Sequence, residues 1–118
     1  MEAGEFIRGT LKTIILKLLS QNKKMYGYEI TQRVAHLSKD EINLTYGALY
    51  PILYKLEAEG LLLTSTEVVD NRARKYYSLT EEGRKLAKIK VSELQRFTEI
   101  LRAILADGSK QGFNLKMA

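Results

Sequence analysis

Residues 45–80 decide the fold, and they read TYGALYPILYKLEAEGLLLTSTEVVDNRARKYYSLT. In the first half of this stretch, Leu49, Leu53 and Leu56 recur at the spacing of one helical face. Gly60 follows, and a glycine just past a helix adopts the left-handed conformation without a side-chain clash. The pattern therefore predicts a helix that follows the opening threonine and ends at Gly60.

The second half of the stretch loses the helical period and predicts a β-hairpin. Residues 61–69 are rich in leucine, threonine and valine. Residues 74–79 alternate, with Tyr77 and Leu79 on one face. Residues 70–73 begin with Asp and Asn, which favour a turn between the two strands.

Two more amphipathic helices precede this stretch. The first has six apolar residues at helical spacing: Ile7, Leu11, Ile14, Ile15, Leu18 and Leu19. The second follows Gly27, with its apolar stripe at Ile30, Val34 and Leu37. The chain is thus expected to be mainly α with a small β-hairpin, and we predict a winged helix-turn-helix over residues 1–80.

A long helix is predicted after the hairpin, over residues 81–106. Thr80 is its expected N-cap, while Gly83 weakens the first turn and predicts fraying. Farther along, six residues repeat with the alternating three- and four-residue spacing of a coiled-coil seam: Ala87, Lys90, Leu94, Phe97, Leu101 and Ile104. Such a helix is longer than one domain needs for its own core. We therefore predict a homodimer through four of these residues: Leu94, Phe97, Leu101 and Ile104.

Composition fixes the class of the chain. The 118 residues suffice for one domain, and 45% hydrophobic with 28% charged side chains is typical of a globular protein. Residues 107–118 lack periodicity and are expected to form a flexible tail. No apolar run approaches the ~20 residues of a membrane span, and no signal-peptide pattern is present. We expect a cytoplasmic protein without a membrane partner.

The residues of common catalytic and metal sites are scarce. There is no cysteine and only one histidine, His36, which excludes thiol catalysis and metal sites built on thiolates or several histidines. No nucleophile, base and acid stand in a recognisable arrangement. We therefore predict that the chain is not an enzyme and needs no cofactor or metal.

The charge points to a polyanionic partner. Lys and Arg number 19 against 14 Asp and Glu, and residues 72–90 contain seven bases but two acids. Three of the bases, Arg72, Arg74 and Lys75, fall at the tip of the predicted hairpin, or wing, where they can reach DNA phosphates or a minor groove. The alternative is that they form a solvated face or protect a strand edge.

In a helix-turn-helix, the N-terminal end of the second helix enters the major groove. The helix after residue 44 is that recognition helix, and its candidate contacts are Thr45, Tyr46, Gly47, Ala48, Tyr50, Pro51 and Lys55. Pro51 lies beyond the first turn, so we predict an irregular or tightened first turn and a regular helix only from about Leu49. Partial burial is the alternative for Tyr50 and, more strongly, for Tyr54.

Several short motifs also resemble one known family. They are RGTL at residues 8–11, YGYEI at 26–30, GALYP at 47–51 and RKYYSLT at 74–80, with Gly83 after the last. In this order the chain resembles the PadR family of bacterial and archaeal transcriptional regulators, in its subgroup with a short C-terminal helix. The family usually has histidine, threonine, glycine and proline where this chain has Tyr26, Ala48, Asn71 and Ala73.

The resemblance implies a homodimeric repressor that binds double-stranded DNA at a promoter, with the C-terminal helix as the dimer contact. Some short relatives bind flat aromatic compounds in a pore between the two copies. On that resemblance, Phe6, Phe97 and Leu101 are the candidate lining for a small aromatic effector that would release DNA. The alternative is a winged-helix sensor or protein-interaction module without specific DNA binding.

Overall fold

The computed structural model describes residues 4–109. Its elements in chain order are α1 (Gly4–Ile7), α2 (Leu11–Gln21), β1 (Met25–Tyr26), α3 (Gly27–Leu37), α4 (Tyr46–Ala58), β2 (Leu62–Val69), β3 (Arg72–Leu79) and α5 (Glu81–Ala106). The three strands form an antiparallel sheet in the order β1-β3-β2. The predicted winged helix and long last helix are both confirmed. Most of the predicted tail, residues 110–118, lies outside the described residues.

The core lies between α2, α3, α4, the first part of α5 and the sheet. Leu49, Leu53 and Leu56 are fully buried, as their spacing predicted, and Tyr77 and Leu79 face the same core from β3. Leu37 is the exception in the stripe of α3, since 58% of its surface is exposed.

Two boundaries differ from the sequence prediction. The first predicted helix is two helices, since residues 8–10 form a turn in which the Thr10 N–H donates to the Ile7 carbonyl at 2.9 Å. Gly9, a poor helix former, lies in this turn. A third strand, β1, pairs Met25 with Tyr77 and Tyr26 with Tyr76. Two residues are too few to show a strand period in the sequence.

The hairpin turn is shorter than predicted. Only Asp70 and Asn71 connect the strands, and both have positive φ, 51° and 63°. Two left-handed residues form the type I′ turn that matches the strand twist, and Asp and Asn tolerate this conformation. Arg72 and Ala73 therefore belong to β3, and Arg72 lies beside the turn, opposite Val69.

The start of α5 is packed rather than frayed. The Thr80 hydroxyl accepts a hydrogen bond from the Gly83 N–H at 3.0 Å, which confirms the predicted N-cap. Gly83 is buried, and a Cβ there would lie 2.2 Å from the Leu61 carbonyl oxygen. The predicted fraying was wrong because glycine is required at this close approach. Within residues 4–109, no helix has the length and apolar character to cross a membrane.

Candidate nucleic-acid interface

The N-terminal end of α4 is open to solvent. Thr45 is the N-cap, and its hydroxyl oxygen accepts from the Ala48 N–H at 3.1 Å. Residues 45–48 are all exposed. The amides of Tyr46 and Gly47 precede the first intrahelical hydrogen bond, so this end presents N–H donors and the positive end of the helix dipole. The Thr45 hydroxyl still has its own proton to donate.

Pro51 does not delay the helix. The α-helix begins at Tyr46 rather than at Leu49. Its first turn is tightened, as predicted, because the Ala48 and Leu49 amides share the Thr45 carbonyl at 3.2 and 3.1 Å. Proline removes one N–H, but the Gly47 carbonyl that loses this partner belongs to an exposed residue. Pro51 and Lys55 are exposed.

Three tyrosines form a ladder along α4. The ring centroids of Tyr46 and Tyr50 are 5.6 Å apart, and those of Tyr50 and Tyr54 are 6.1 Å apart. Tyr50 lies over Gly27 at the start of α3, where a Cβ would come within 2.4 Å of its hydroxyl. Tyr54 is 56% exposed and Tyr50 is half-buried, so the alternative of partial burial fits Tyr50 better than Tyr54. The four-residue spacing of the tyrosines was the sequence signal for this ladder.

A buried hydroxyl lies next to the ladder. Tyr77 is 1% exposed, and its hydroxyl has no hydrogen-bond partner within residues 4–109. Burial, together with Tyr54, Tyr50 and Glu57, raises the pKa of Tyr77 to about 12. Burial and the two neighbouring phenols also raise the pKa of Tyr50.

The outer face of the wing carries a cation–aromatic cluster, here called the outer clamp: Lys24, Tyr26, Glu67, Arg74 and Tyr76. The Arg74 guanidinium lies 4.6 Å from the Tyr26 ring centroid. A hydrogen bond with the Tyr76 side chain raises the pKa of Arg74. Lys24 lies 4.8 Å from the Tyr76 centroid and forms an ion pair with Glu67, which faces Arg74 across the hairpin.

The inner face of the wing contacts α4 through a second set of residues, here called the inner clamp: Tyr54, Glu57, Thr64 and Lys75. Lys75 Nζ lies 3.7 Å from a Glu57 carboxylate oxygen and 5.5 Å from the Tyr54 ring centroid. The Thr64 hydroxyl donates to the other Glu57 oxygen at 3.1 Å. Arg74 and Lys75 are thus separated on opposite faces, because neighbouring strand residues alternate.

Past Leu94, α5 runs beyond the domain. Its 26 residues span about 39 Å, and every residue from 95 to 109 is exposed. Phe97 is 52% exposed, Leu101 38% and Ile104 63%. Ala87, by contrast, is buried in the core of its own domain, so the predicted seam is divided between an internal half and an external half.

The predicted ligand-pocket residues do not line the apolar groove beside α5. An apolar groove of about 450 Å³ lies between α2, the end of α3 and α5, with Ile14, Leu37 and Leu94 among its walls. Phe6, Phe97 and Leu101 do not line it and are exposed.

The sequence of the chain is similar to those of known transcriptional regulators. The model of the transcriptional regulator PadR-like family matches residues 15–89. The transcriptional regulator Rv3488 of Mycobacterium tuberculosis is 40% identical over 80 residues, which are 68% of this chain and 71% of the relative.

Solved structures show the same fold. A transcriptional regulator from Clostridium thermocellum matches with a TM-score of 0.75 and 29% identity, over 85% of this chain and 97% of its own. A padr family transcriptional regulator from Eggerthella lenta matches with a TM-score of 0.73 and 27% identity, over 88% of each chain.

Proposed function

Because the chain belongs to the PadR-like family of transcriptional regulators, we propose that it is a homodimeric repressor that binds double-stranded DNA and occupies a promoter. The observation that carries this proposal is the open N-terminal end of α4, with its tyrosine ladder, beside a basic wing. Its expected site of action is the cytoplasm. Family membership also agrees with the prediction that the chain is not an enzyme.

The two parts of the interface have different tasks. At the start of α4, Thr45 and Tyr46 and the free amides bind phosphate and position the helix. Gly47 and Ala48 leave room for the backbone to approach the base edges. Few of these side chains pair with a base bidentately, so sequence preference comes from DNA shape, apolar contacts and the wing.

The exposed half of α5 supports a dimer. Phe97, Leu101 and Ile104 repeat along one side of the helix and remain 38–63% exposed in a single chain. Two copies that pair through this side bury it and present two α4 helices to one duplex. Recognition helices in such dimers enter successive major grooves about 34–36 Å apart.

The experiment is a mobility shift on duplex fragments from the region upstream of the protein's own gene, over a series of salt concentrations. If a dimer contacts about 6–10 phosphates, log affinity falls with log salt with a slope of several units. An unrelated duplex and a single-stranded RNA of equal length are the competitors. A flat salt response, or equal competition by RNA, would contradict the proposal.

We also propose that a small aromatic effector releases the protein from DNA. Phe6, Phe97 and Leu101 are the lining that two chains would share. A flat aromatic dye added to the protein–DNA complex should displace the duplex, and Phe6→Ala, which lies outside the proposed dimer contact, should weaken that displacement. Displacement that persists unchanged in Phe6→Ala would place the effector elsewhere.

A further inference from the structure

The outer half of the wing has little backbone support. β1 pairs with β3 only at Tyr76 and Tyr77, so residues 72–75 extend past β1 without a third strand beside them. A two-stranded ribbon alone is marginally stable in water. What fixes this half of the wing relative to the helices is therefore the side-chain contact on each face.

The outer clamp ties the wing to α3. Tyr26 comes directly before α3, and its backbone N–H donates to a Glu29 carboxylate oxygen at 3.1 Å. Arg74 lies over the Tyr26 ring, so the strand that bears Arg74 is held against the first turn of that helix. An arginine suits this position because its planar guanidinium stacks on an aromatic face.

The inner clamp ties the same part of the wing to α4. Glu57 accepts from Thr64 on β2 and pairs with Lys75 on β3. Arg72 differs from both its basic neighbours. It lies beside the turn, it is exposed, and it has no ion pair or aromatic contact within residues 4–109.

We propose that Arg74 and Lys75 are positioning residues that fix the angle of the wing relative to α4, and that Arg72 is the wing's phosphate contact. This assignment rests on the proposed DNA-binding function. It divides three basic side chains of similar sequence context into two roles. Arg74 and Lys75 contact protein on opposite faces of β3, and Arg72, beside the turn, is left for the duplex.

The first arm of the test uses the full chain without DNA. Amide hydrogen exchange of residues 66–75 should rise about two- to fivefold in Arg74→Ala and in Tyr26→Leu, as expected when an exposed cation–aromatic interaction is removed. Exchange in the double variant should rise by less than the sum of the two single changes, because both remove the Arg74–Tyr26 contact. Tyr26→Phe keeps the ring and should exchange like the wild type, and Arg72→Ala is the matched control. Unchanged exchange in Arg74→Ala would overturn the clamp.

The second arm measures the salt dependence of DNA affinity. Arg72→Ala should reduce the log–log slope by about 0.9 for each phosphate that the arginine neutralises in the wild type. Arg74→Ala and Lys75→Ala should lower affinity while they keep the wild-type slope. A slope that falls as much in Arg74→Ala as in Arg72→Ala would show that Arg74 contacts phosphate. If the wild type binds no duplex, the DNA-binding function fails, and the exchange arm alone still decides the clamp.

Discussion

Gly83 lies where the first turn of α5 meets the segment between α4 and β2. A Cβ there would clash with the Leu61 carbonyl oxygen, which already accepts from the Thr80 N–H at 3.0 Å. Alanine is favoured over glycine in helices by up to about 1 kcal/mol, but a methyl group forced against fixed backbone costs about 1–3 kcal/mol or more. We expect Gly83→Ala to lower the free energy of unfolding, measured by urea denaturation.

Gly9→Ala is the control for this change. A Cβ at Gly9 has no atom within 4 Å, so its effect should stay within about 0.5 kcal/mol. A Gly83→Ala protein that is more stable than the wild type would show that helix propensity outweighs the clash.

The Tyr77 hydroxyl gives a second prediction at the scale of one residue. A buried polar group without a partner costs about 1–3 kcal/mol. Tyr77→Phe keeps the ring in the core and removes the hydroxyl, so its free energy of unfolding at neutral pH should equal or exceed that of the wild type. Tyr28→Phe, at a position 52% exposed, is the matched control. A clear loss of stability in Tyr77→Phe would mean that the hydroxyl has a partner.

The same residue makes stability depend on alkaline pH. The pKa of Tyr77 is about 12 in the fold against an ordinary value of 10.0, so the folded chain keeps its proton longer than the unfolded chain. This contribution is fully present below pH 10 and is lost as pH rises toward 12. Urea midpoints compared at about pH 9 and about pH 11 should fall less in Tyr77→Phe than in the wild type.

Among the helices and strands, the spacing of apolar residues predicted most of the fold. The helical spacing of three leucines predicted α4, and the alternation at Tyr77 and Leu79 predicted β3. Pro51 does not interrupt α4, for two reasons. The packing of three fully buried leucines stabilises the helix, and the hydrogen bond that proline removes lies on its exposed side.

Contacts between residues far apart along the chain could not be predicted from the sequence. Arg74 and Tyr26 are far apart along the chain and meet only because β1 pairs beside β3. The need for glycine at position 83 likewise depends on where Leu61 passes. The position of α4 and of the residues at its start could be predicted, since it follows from the order of helices. Strand alternation also predicts that Arg74 and Lys75 lie on different faces of β3. It does not predict which residues each face contacts.

The start of α4 allows stability and binding to be separated. Gly47 is helical and exposed, and the nearest atom to a Cβ there is the Thr45 hydroxyl oxygen at 3.9 Å. Gly47→Ala should raise the free energy of unfolding by up to about 1 kcal/mol. If the α4 backbone lies close to DNA, the added methyl group should weaken binding in a mobility shift. A stabilised variant with unchanged DNA affinity would show that the duplex keeps its distance from Gly47.

At the scale of the whole molecule, the long axis of the structure is 66 Å, and α5 supplies the part beyond the core. Leu101 lies between Phe97 and Ile104 on the exposed apolar side of this helix. We expect Leu101→Glu to convert a dimer into a folded monomer, because a carboxylate buried at a two-fold contact meets its own copy and loses water. Sedimentation measures the mass, and circular dichroism checks that the helices remain.

Ala103→Glu is the matched control, because it adds the same side chain two residues later on a different face of the helix. It should sediment like the wild type.

DNA affinity then tests whether dimer assembly and DNA binding are linked. Two weak DNA-binding domains joined in one dimer bind far more tightly than either alone. Leu101→Glu should therefore lose most of its DNA affinity although the residues proposed to contact DNA are unchanged. A wild-type chain that sediments as a monomer and still binds its duplex tightly would contradict this arrangement.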